Sequence, residues 1–267
     1  MFRIKPVFTG SAICAFWCIL TGCDYFSQPK NINSKSLSAA IISELPVTTA
    51  DSNQNCSALK PIQIIGEIEQ QIINAGLIDV KTIDSTIVVD LKYSTTDNFL
   101  NYDMYDDFDK CYLQPDVAEK LKKASSYLRS KFSYYRIIVF DAVRPRSIQT
   151  KMWDTINVPL PIRSQYLANP ANGSLHNFGA AVDASIIDEH GNLLDMGTKY
   201  DYFGELAYPR KEEKLKKEGK LNYTQLFNRQ LLREVMEQAG FFVASSEWWH
   251  FNSCNRVDAI AKYKIVE

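Results

Sequence analysis

Residues 174–185 read SLHNFGAAVDAS. His176, one of only three histidines in the chain, stands seven residues before Asp183, and most of what separates them is small. Residues 180–187 are apolar or small around one carboxylate, which is the length and composition of a strand. Gly179, just ahead of them, supplies a turn. The segment therefore reads as a polar loop, a turn and a strand, with a candidate ligand on each side of the turn.

Outward from there, residues 136–140 (RIIVF) form another short apolar strand that runs into Asp141-Ala142-Val143-Arg144-Pro145. Residues 82–93 (TIDSTIVVDLKY) are β-branched and partly alternating, and read as a strand. Residues 241–244 and 248–252 are closing strands around a turn at Ser245-Ser246. Val117, Leu121, Ala124, Leu128 and Phe132 recur at helical spacing behind Pro115, which predicts an amphipathic helix over 115–132. A second helix, over 224–239, is carried by Phe227, Leu231, Leu232, Val235 and Met236, and Gly240 stops it. His190-Gly191-Asn192 is the exposed turn of a hairpin, and the charge run RKEEKLKKEGK at 210–220 is a solvated loop or helix end. Strands and helices mix without regular βαβ alternation or an internal repeat. The expected fold class is α+β: a single compact domain over residues 60–267, with a central, mainly antiparallel sheet flanked by helices.

The N-terminus has a different character. Arg3 and Lys5 precede an apolar run over 7–20 that is too short and too interrupted to span a membrane. It ends in Leu20-Thr21-Gly22-Cys23, which resembles the lipobox of bacterial lipoproteins. That resemblance implies a signal peptide over 1–22, lipidation of Cys23, and a membrane-anchored protein of the periplasm or cell surface. An ordinary signal peptide with an incidental cysteine is the alternative. Residues 23–59, rich in Ser, Asn, Thr and Gln, read as a flexible tether with a short apolar helix at 37–45. A net charge of −1 leaves no electrostatic footprint for nucleic acid. Export permits one disulfide among Cys56, Cys111 and Cys254, but the spacing selects no pair.

Two imidazoles and one carboxylate form a donor set that suits zinc with a coordination position left open. His176, Asp183 and His250, the last in SSEWWHFN (245–252), supply such a set, and their summed charge with Zn²⁺ is about +1. Such a centre activates water and still needs a base, for which Glu247, three residues before His250, is the candidate. Taken singly these residues have plainer explanations: a hydrogen-bonded structural histidine, a turn-forming aspartate, a Trp pair used for packing. Their occurrence together in strand-flanked segments favours the metal site.

Ser174-Leu175-His176-Asn177-Phe178-Gly179-Ala180-Ala181-Val182-Asp183 resembles the first zinc motif, and Glu247-Trp248-Trp249-His250 the second, of the D-alanyl-D-alanine dipeptidases, VanX-type zinc peptidases of the M15 family. Asp90-Leu91-Lys92-Tyr93-Ser94-Thr95, Asp141-Ala142-Val143-Arg144-Pro145 and Met196-Gly197-Thr198-Lys199-Tyr200-Asp201 are similar to further family motifs in the same order. Val143 and Tyr200 depart from the family's usual residues, an aromatic and Phe, and the segment 202–223 is longer than in compact relatives. The resemblance implies His176, Asp183 and His250 as ligands of one Zn²⁺, and Glu247 as catalytic base. It further implies Arg144 as the clamp on the developing oxyanion, and Asp201, Tyr93 and Ser174 as substrate contacts. The implied reaction is hydrolysis of D-Ala-D-Ala by metal-activated water, in peptidoglycan-peptide turnover. Two alternatives stay open: a D,D-carboxypeptidase or endopeptidase acting on longer stem peptides, and a non-catalytic cell-wall-binding lipoprotein.

Overall fold

The structure, a computed structural model, describes residues 65–267. The signal segment with Cys23, the tether with its apolar stretch, and Cys56 lie outside the described residues.

In chain order the elements are helix α1 (Glu67–Asn74), strands β1 (Ile78–Asp79), β2 (Val88–Val89) and β3 (Tyr112–Leu113), helix α2 (Pro115–Lys131), strand β4 (Arg136–Asp141), helix α3 (Arg146–Thr155), strand β5 (Ala181–Ile187), helices α4 (Glu212–Lys217) and α5 (Tyr223–Gln238), strands β6 (Phe242–Val243) and β7 (His250–Asn252), and helix α6 (Arg256–Lys262). Five strands form one sheet in the order β2-β4-β5-β7-β6, and β1 pairs with β3 apart from it. The β2–β4 pair is parallel, whereas β4–β5, β5–β7 and β6–β7 are antiparallel. The sheet is thus mixed, with the antiparallel character expected of most of it.

The period-2 alternation of a strand decides what each face of this sheet does. Ile137 and Val139 of β4, with Val182, Ala184 and Ile186 of β5, enter a core built with Leu121 and Leu128 of α2 and Leu232 and Val235 of α5. Truncating a fully buried leucine such as Leu121 or Leu232 to alanine costs about 2–5 kcal/mol in such a setting. Ile138, Phe140 and Ile187 project from the opposite face. Asp183 and Ser185 alternate with the core residues of β5, so they share that second face. The core therefore fixes one side of the strand and leaves the other for polar side chains.

Both long helices follow their sequence signals. Pro115 occupies the first turn of α2. Asn222 and Gln225 exchange hydrogen bonds across the first turn of α5, each 2.9 Å long, which satisfies two amides that would otherwise lack partners. Gly240, at φ +87°, ends α5 in the left-handed region.

Elsewhere the structure corrects the expectation. Of the strand expected over 82–93, only Val88–Val89 pairs. Asp79 caps a 3₁₀ turn through the amide of Lys81, and Asp84 Oδ1 accepts from both the amide and the hydroxyl of Thr86. These local side-chain bonds give the backbone an alternative to the ladder. The hairpin expected around Gly191 is reduced to a single bridge, Ile187 to Leu193. The charge run contains a true helix, α4, because Leu215 is buried and Glu212 pairs with Arg229 and Arg233 of α5. Helices α1, α3 and α6 have no counterpart in the sequence expectations. Among the described residues Cys111 and Cys254 are both free thiols.

Candidate active site

His176 lies in a 3₁₀ turn, Leu175–Phe178, that Gly179 closes at φ +64°. A side chain at residue 179 would meet Leu77, since its Cβ would stand 2.5 Å from Leu77 Cδ2. Glycine therefore serves both the left-handed turn and the close approach. The turn is sewn to the loop after β4. Arg144 N–H donates to the His176 carbonyl at 3.0 Å, and Asn177 Nδ2 donates to the Arg144 carbonyl at 2.7 Å. Asp183 sits in β5 directly across from His250 in β7. The sheet register brings these two together, and the turn at Gly179 brings His176.

Three candidate ligand atoms converge. His250 Nδ1 is 2.9 Å from Asp183 Oδ1, His176 Nε2 is 3.1 Å from His250 Nδ1, and His176 Nε2 is 3.4 Å from Asp183 Oδ1. A tetrahedral ion with bonds of ~2.0–2.2 Å separates its ligand atoms by roughly 3.3 Å, so the triangle has the size zinc requires. The far side of each imidazole is also engaged. His176 Nδ1 donates to the Ala142 carbonyl at 2.7 Å, which leaves Nε2 to bind. His250 Nε2 lies 3.0 Å from Asn252 Oδ1, and donation to that acceptor leaves Nδ1 to bind. Burial acts against the charged form of His250, but the Asp183 hydrogen bond and charge outweigh it and raise its pKa to about 9. Asp183 is held well below the usual carboxylate range: burial opposes ionisation, and His176 and His250 overcome it.

Glu247 Oε2 is 4.0 Å from His250 Nδ1, so the turn before β7 carries the carboxylate to the ligand triangle. Desolvation raises its pKa, although His250 pulls the other way. Trp248 and Trp249 between them are packing residues, both buried and set edge to face at 5.3 Å. Arg144 is buried, with its Nε and Nη2 on Asp141 Oδ2 and its Nη1 donating to Gln149 Oε1 at 3.0 Å. Three of its five N–H donors are used in this way, leaving two uncommitted among the described residues. Its guanidinium carbon is 5.1 Å from the Tyr93 ring centre. Asp141 Oδ2 also lies 3.6 Å from His176 Nδ1, so the carboxylate that holds Arg144 is a close neighbour of His176.

Asp201 and Tyr93 form a second group, with the Tyr93 hydroxyl 3.0 and 3.2 Å from the two Asp201 oxygens. Asp201 adopts φ +58°, unusual for a residue with a side chain. Burial, and then the charge of Asp183, push its pKa well above the carboxylate range. Ser174 Oγ is buried without a hydrogen-bond partner among the described residues. Two cavities lie nearby, one bordered by Asp201 and the other by Glu247. One of about 740 Å³ is lined by Lys92, Phe99, Phe140, Thr198, Asp201 and Trp248, and one of about 90 Å³ by Gln165, Tyr166, Tyr202, Phe203 and Glu247 among others. The long segment 202–223 thus reaches Glu247 and shapes that side of the site. Val143, by contrast, is buried against the apolar cluster of Tyr105, Ile148 and Met152, so its departure from the family pattern alters the core. His190 is an exposed turn residue, as expected.

Sequence reasoning did not single out Asp141, Gln149, Asn252 or the Tyr200 hydroxyl as site residues. Asp141 carried a usable signal, because it stands three residues before Arg144 in a strand exit. Gln149 and Asn252 carried none, since their roles depend on tertiary neighbours.

The family profile described as D-ala-D-ala dipeptidase, peptidase M15, matches residues 73–264. A D-alanyl-D-alanine dipeptidase of Escherichia coli (strain K12) is 32% identical over 175 residues, 66% of this chain and 83% of the relative. Proteins of the same name from Synechocystis and Enterococcus faecium are each 27% identical, over 52% and 61% of this chain and 68% and 83% of their own lengths. With that profile spanning the described sheet and every residue of the ligand triangle, the chain belongs to the D-ala-D-ala dipeptidase family of M15 peptidases.

Proposed function

We propose that this protein is a zinc dipeptidase that hydrolyses D-alanyl-D-alanine in peptidoglycan-peptide turnover, with His176 Nε2, Asp183 Oδ1 and His250 Nδ1 holding the metal. The observation that carries this proposal is the ligand triangle with Glu247 beside it. Bound there, Zn²⁺ polarises a carbonyl and brings the pKa of water towards ~7. Glu247 takes the water proton and passes it to the departing amine, and burial, which raises its pKa, makes the carboxylate a better proton acceptor. The two uncommitted N–H donors of Arg144 stabilise the charge that builds on the carbonyl oxygen, and Asp141 and Gln149 keep them aimed.

A dipeptide presents an ammonium and a carboxylate. The ammonium binds Asp201, and its positive charge restores the ionised form that burial disfavours. Ser174 Oγ, unpartnered in the described structure, hydrogen-bonds the carboxylate end. The second reading, a D,D-carboxypeptidase or endopeptidase, uses the same residues on a longer substrate, for which the cavity bordered by Asp201 offers room although no residue of the ligand triangle lines it. Incubating the purified zinc protein with D-Ala-D-Ala, a D-Ala-D-Ala tripeptide and a stem pentapeptide separates these. Release of D-alanine from the dipeptide alone supports the dipeptidase. Cleavage confined to the pentapeptide supports the second reading, and stoichiometric zinc without cleavage of any of the three refutes both.

We also propose that Cys23 carries lipid and anchors the chain at an extracytoplasmic membrane face, on the support of the Leu20-Thr21-Gly22-Cys23 motif. Labelled palmitate incorporated by the full chain but not by Cys23→Ala is the expected result. Equal labelling of the two refutes it.

A further inference from the structure

Asp183 has two oxygens, and only Oδ1 belongs to the ligand triangle. Oδ2 is 2.9 Å from the hydroxyl of Tyr200, at the end of the Met196–Asp201 loop. The same hydroxyl is 3.4 Å from that of Tyr93, which bonds Asp201. Each tyrosine has one proton to give, and the shorter contacts decide where it goes: Tyr93 to Asp201, Tyr200 to Asp183. The neighbouring phenols thus serve two different carboxylates. The Tyr200 ring is held in place from several sides. It lies 5.0 Å from Phe140, 5.4 Å from Trp249 and 6.3 Å from Tyr93, centre to centre, with tilted or edge-on geometry. Such contacts leave the ring little freedom to turn away.

We infer that Tyr200 is a positioning residue of the metal centre: its hydroxyl pins Asp183 Oδ2, so that the carboxylate presents Oδ1 alone to the two imidazoles. The inference rests on the zinc assignment made above. A carboxylate free to rotate about its last bond would present either oxygen, or both, and would lose entropy on each binding event. A phenol donor removes that freedom before the metal arrives, while keeping Asp183 an anion. The hydroxyl completes a set in which every ligand has an outer partner: the Ala142 carbonyl for His176, Asn252 for His250 and Tyr200 for Asp183. Of the three partners, the Tyr200 hydroxyl is the one that the family's usual Phe would lack.

The test is zinc affinity of the full chain, measured by competition with a chromophoric chelator at one neutral pH, for the wild type, Tyr200→Phe and Phe140→Leu. Tyr200→Phe removes one oxygen and keeps the ring, whereas Phe140→Leu disturbs the packing around the ring and keeps the hydroxyl. The expected result is a zinc dissociation constant raised roughly 10- to 100-fold in Tyr200→Phe and within about twofold of wild type in Phe140→Leu. Cobalt-loaded Tyr200→Phe should also show a shifted visible absorption band, because the Asp183 carboxylate reorients. Equal affinity of wild type and Tyr200→Phe overturns the inference and leaves the zinc assignment standing. An equal loss in both variants overturns it too, since packing would then explain the effect. A wild-type chain that binds no zinc removes the zinc assignment and the inference together.

Discussion

Asp183 of β5 faces His250 of β7 in register, and Asp183 Oδ1 stands 2.9 Å from His250 Nδ1. Two of the three proposed zinc ligands are thereby placed by sheet pairing rather than by loops. A slip of one residue in the β5–β7 register would send Asp183 into the apolar core and Val182 into the site. Core packing of Val182, Ala184 and Ile186 therefore protects the geometry of the proposed metal site as well as the fold. The carboxyl end of β4 delivers Asp141 and Arg144 to the same region.

The outer hydrogen bond of His250 gives a first prediction. Asn252 holds Nε2 at 3.0 Å and so selects the ring nitrogen that faces Asp183. Asn252→Ala should weaken zinc binding by about 10-fold or more, and Asp183→Ala should abolish it, whereas His190→Ala in its exposed turn should change neither affinity nor turnover. Equilibrium dialysis with metal analysis checks all three. Unaltered zinc content in Asp183→Ala would sink the ligand assignment.

In the proposed reaction Glu247 moves protons and binds no metal. Glu247→Gln keeps the shape and the hydrogen-bonding capacity but cannot take a proton, so kcat on D-Ala-D-Ala should fall about 10²- to 10⁴-fold while zinc stays stoichiometric. Steady-state kinetics paired with metal analysis on the same preparation gives the answer. Retained turnover would assign the proton transfer to another group.

The division between what was legible in the sequence and what was not follows the range of the interactions. Helices α2 and α5 and strands β4 and β5 were legible because a continuous apolar face or run is a local pattern that burial then enforces. The candidate ligands were legible because few residue types bind zinc and the chain has only three histidines. Residues 82–93 misled because Asp79 and Asp84 form turns through their own side chains, which a count of β-branched residues does not register. The Tyr200–Asp183 bond, across 17 positions in sequence, and the Asp141 contact to His176 exist only after folding. A list of candidate ligands therefore says nothing about what orients each of them.

Asp84 supplies a pH-dependent part of the stability, away from the ligand triangle. Burial would raise its pKa, but bonds from Thr86 and Arg129 outweigh that and hold it at about 2, below its ordinary 3.8. A depressed carboxylate stabilises the fold above its ordinary pKa, and that contribution is lost as pH falls from about 4 through about 2. Its side chain is only 6% exposed, so the contribution is on the order of 1–2 kcal/mol after allowance for the partly exposed Arg129. Urea unfolding at pH 5 and pH 2.5 should show a smaller acid-induced loss in Asp84→Asn than in wild type, by about that amount. Identical losses in the two proteins would show that the Asp84–Arg129 pair contributes no pH-dependent stability.

Gly179 joins stability to the site, because the turn it makes separates His176 from Asp183. Gly179→Ala meets two independent obstacles. The left-handed φ of +64° disfavours any side chain, by about 1–3 kcal/mol, and the new methyl would lie 2.5 Å from Leu77 Cδ2. The second obstacle is steric and sits at the end of a side chain, so Leu77→Ala should relieve it, at its own cost of about 2–5 kcal/mol for a buried leucine. The double variant should therefore be less destabilised than the sum of the singles, by the steric part alone, while the backbone strain remains. Zinc affinity should fall in Gly179→Ala and recover partly in the double variant, because relief of the clash lets the turn return His176 to the triangle. Denaturant unfolding of the four proteins, with zinc titrations on each, tests both claims. Strict additivity in stability would mean that Leu77 yields without resistance, and that φ alone accounts for the glycine.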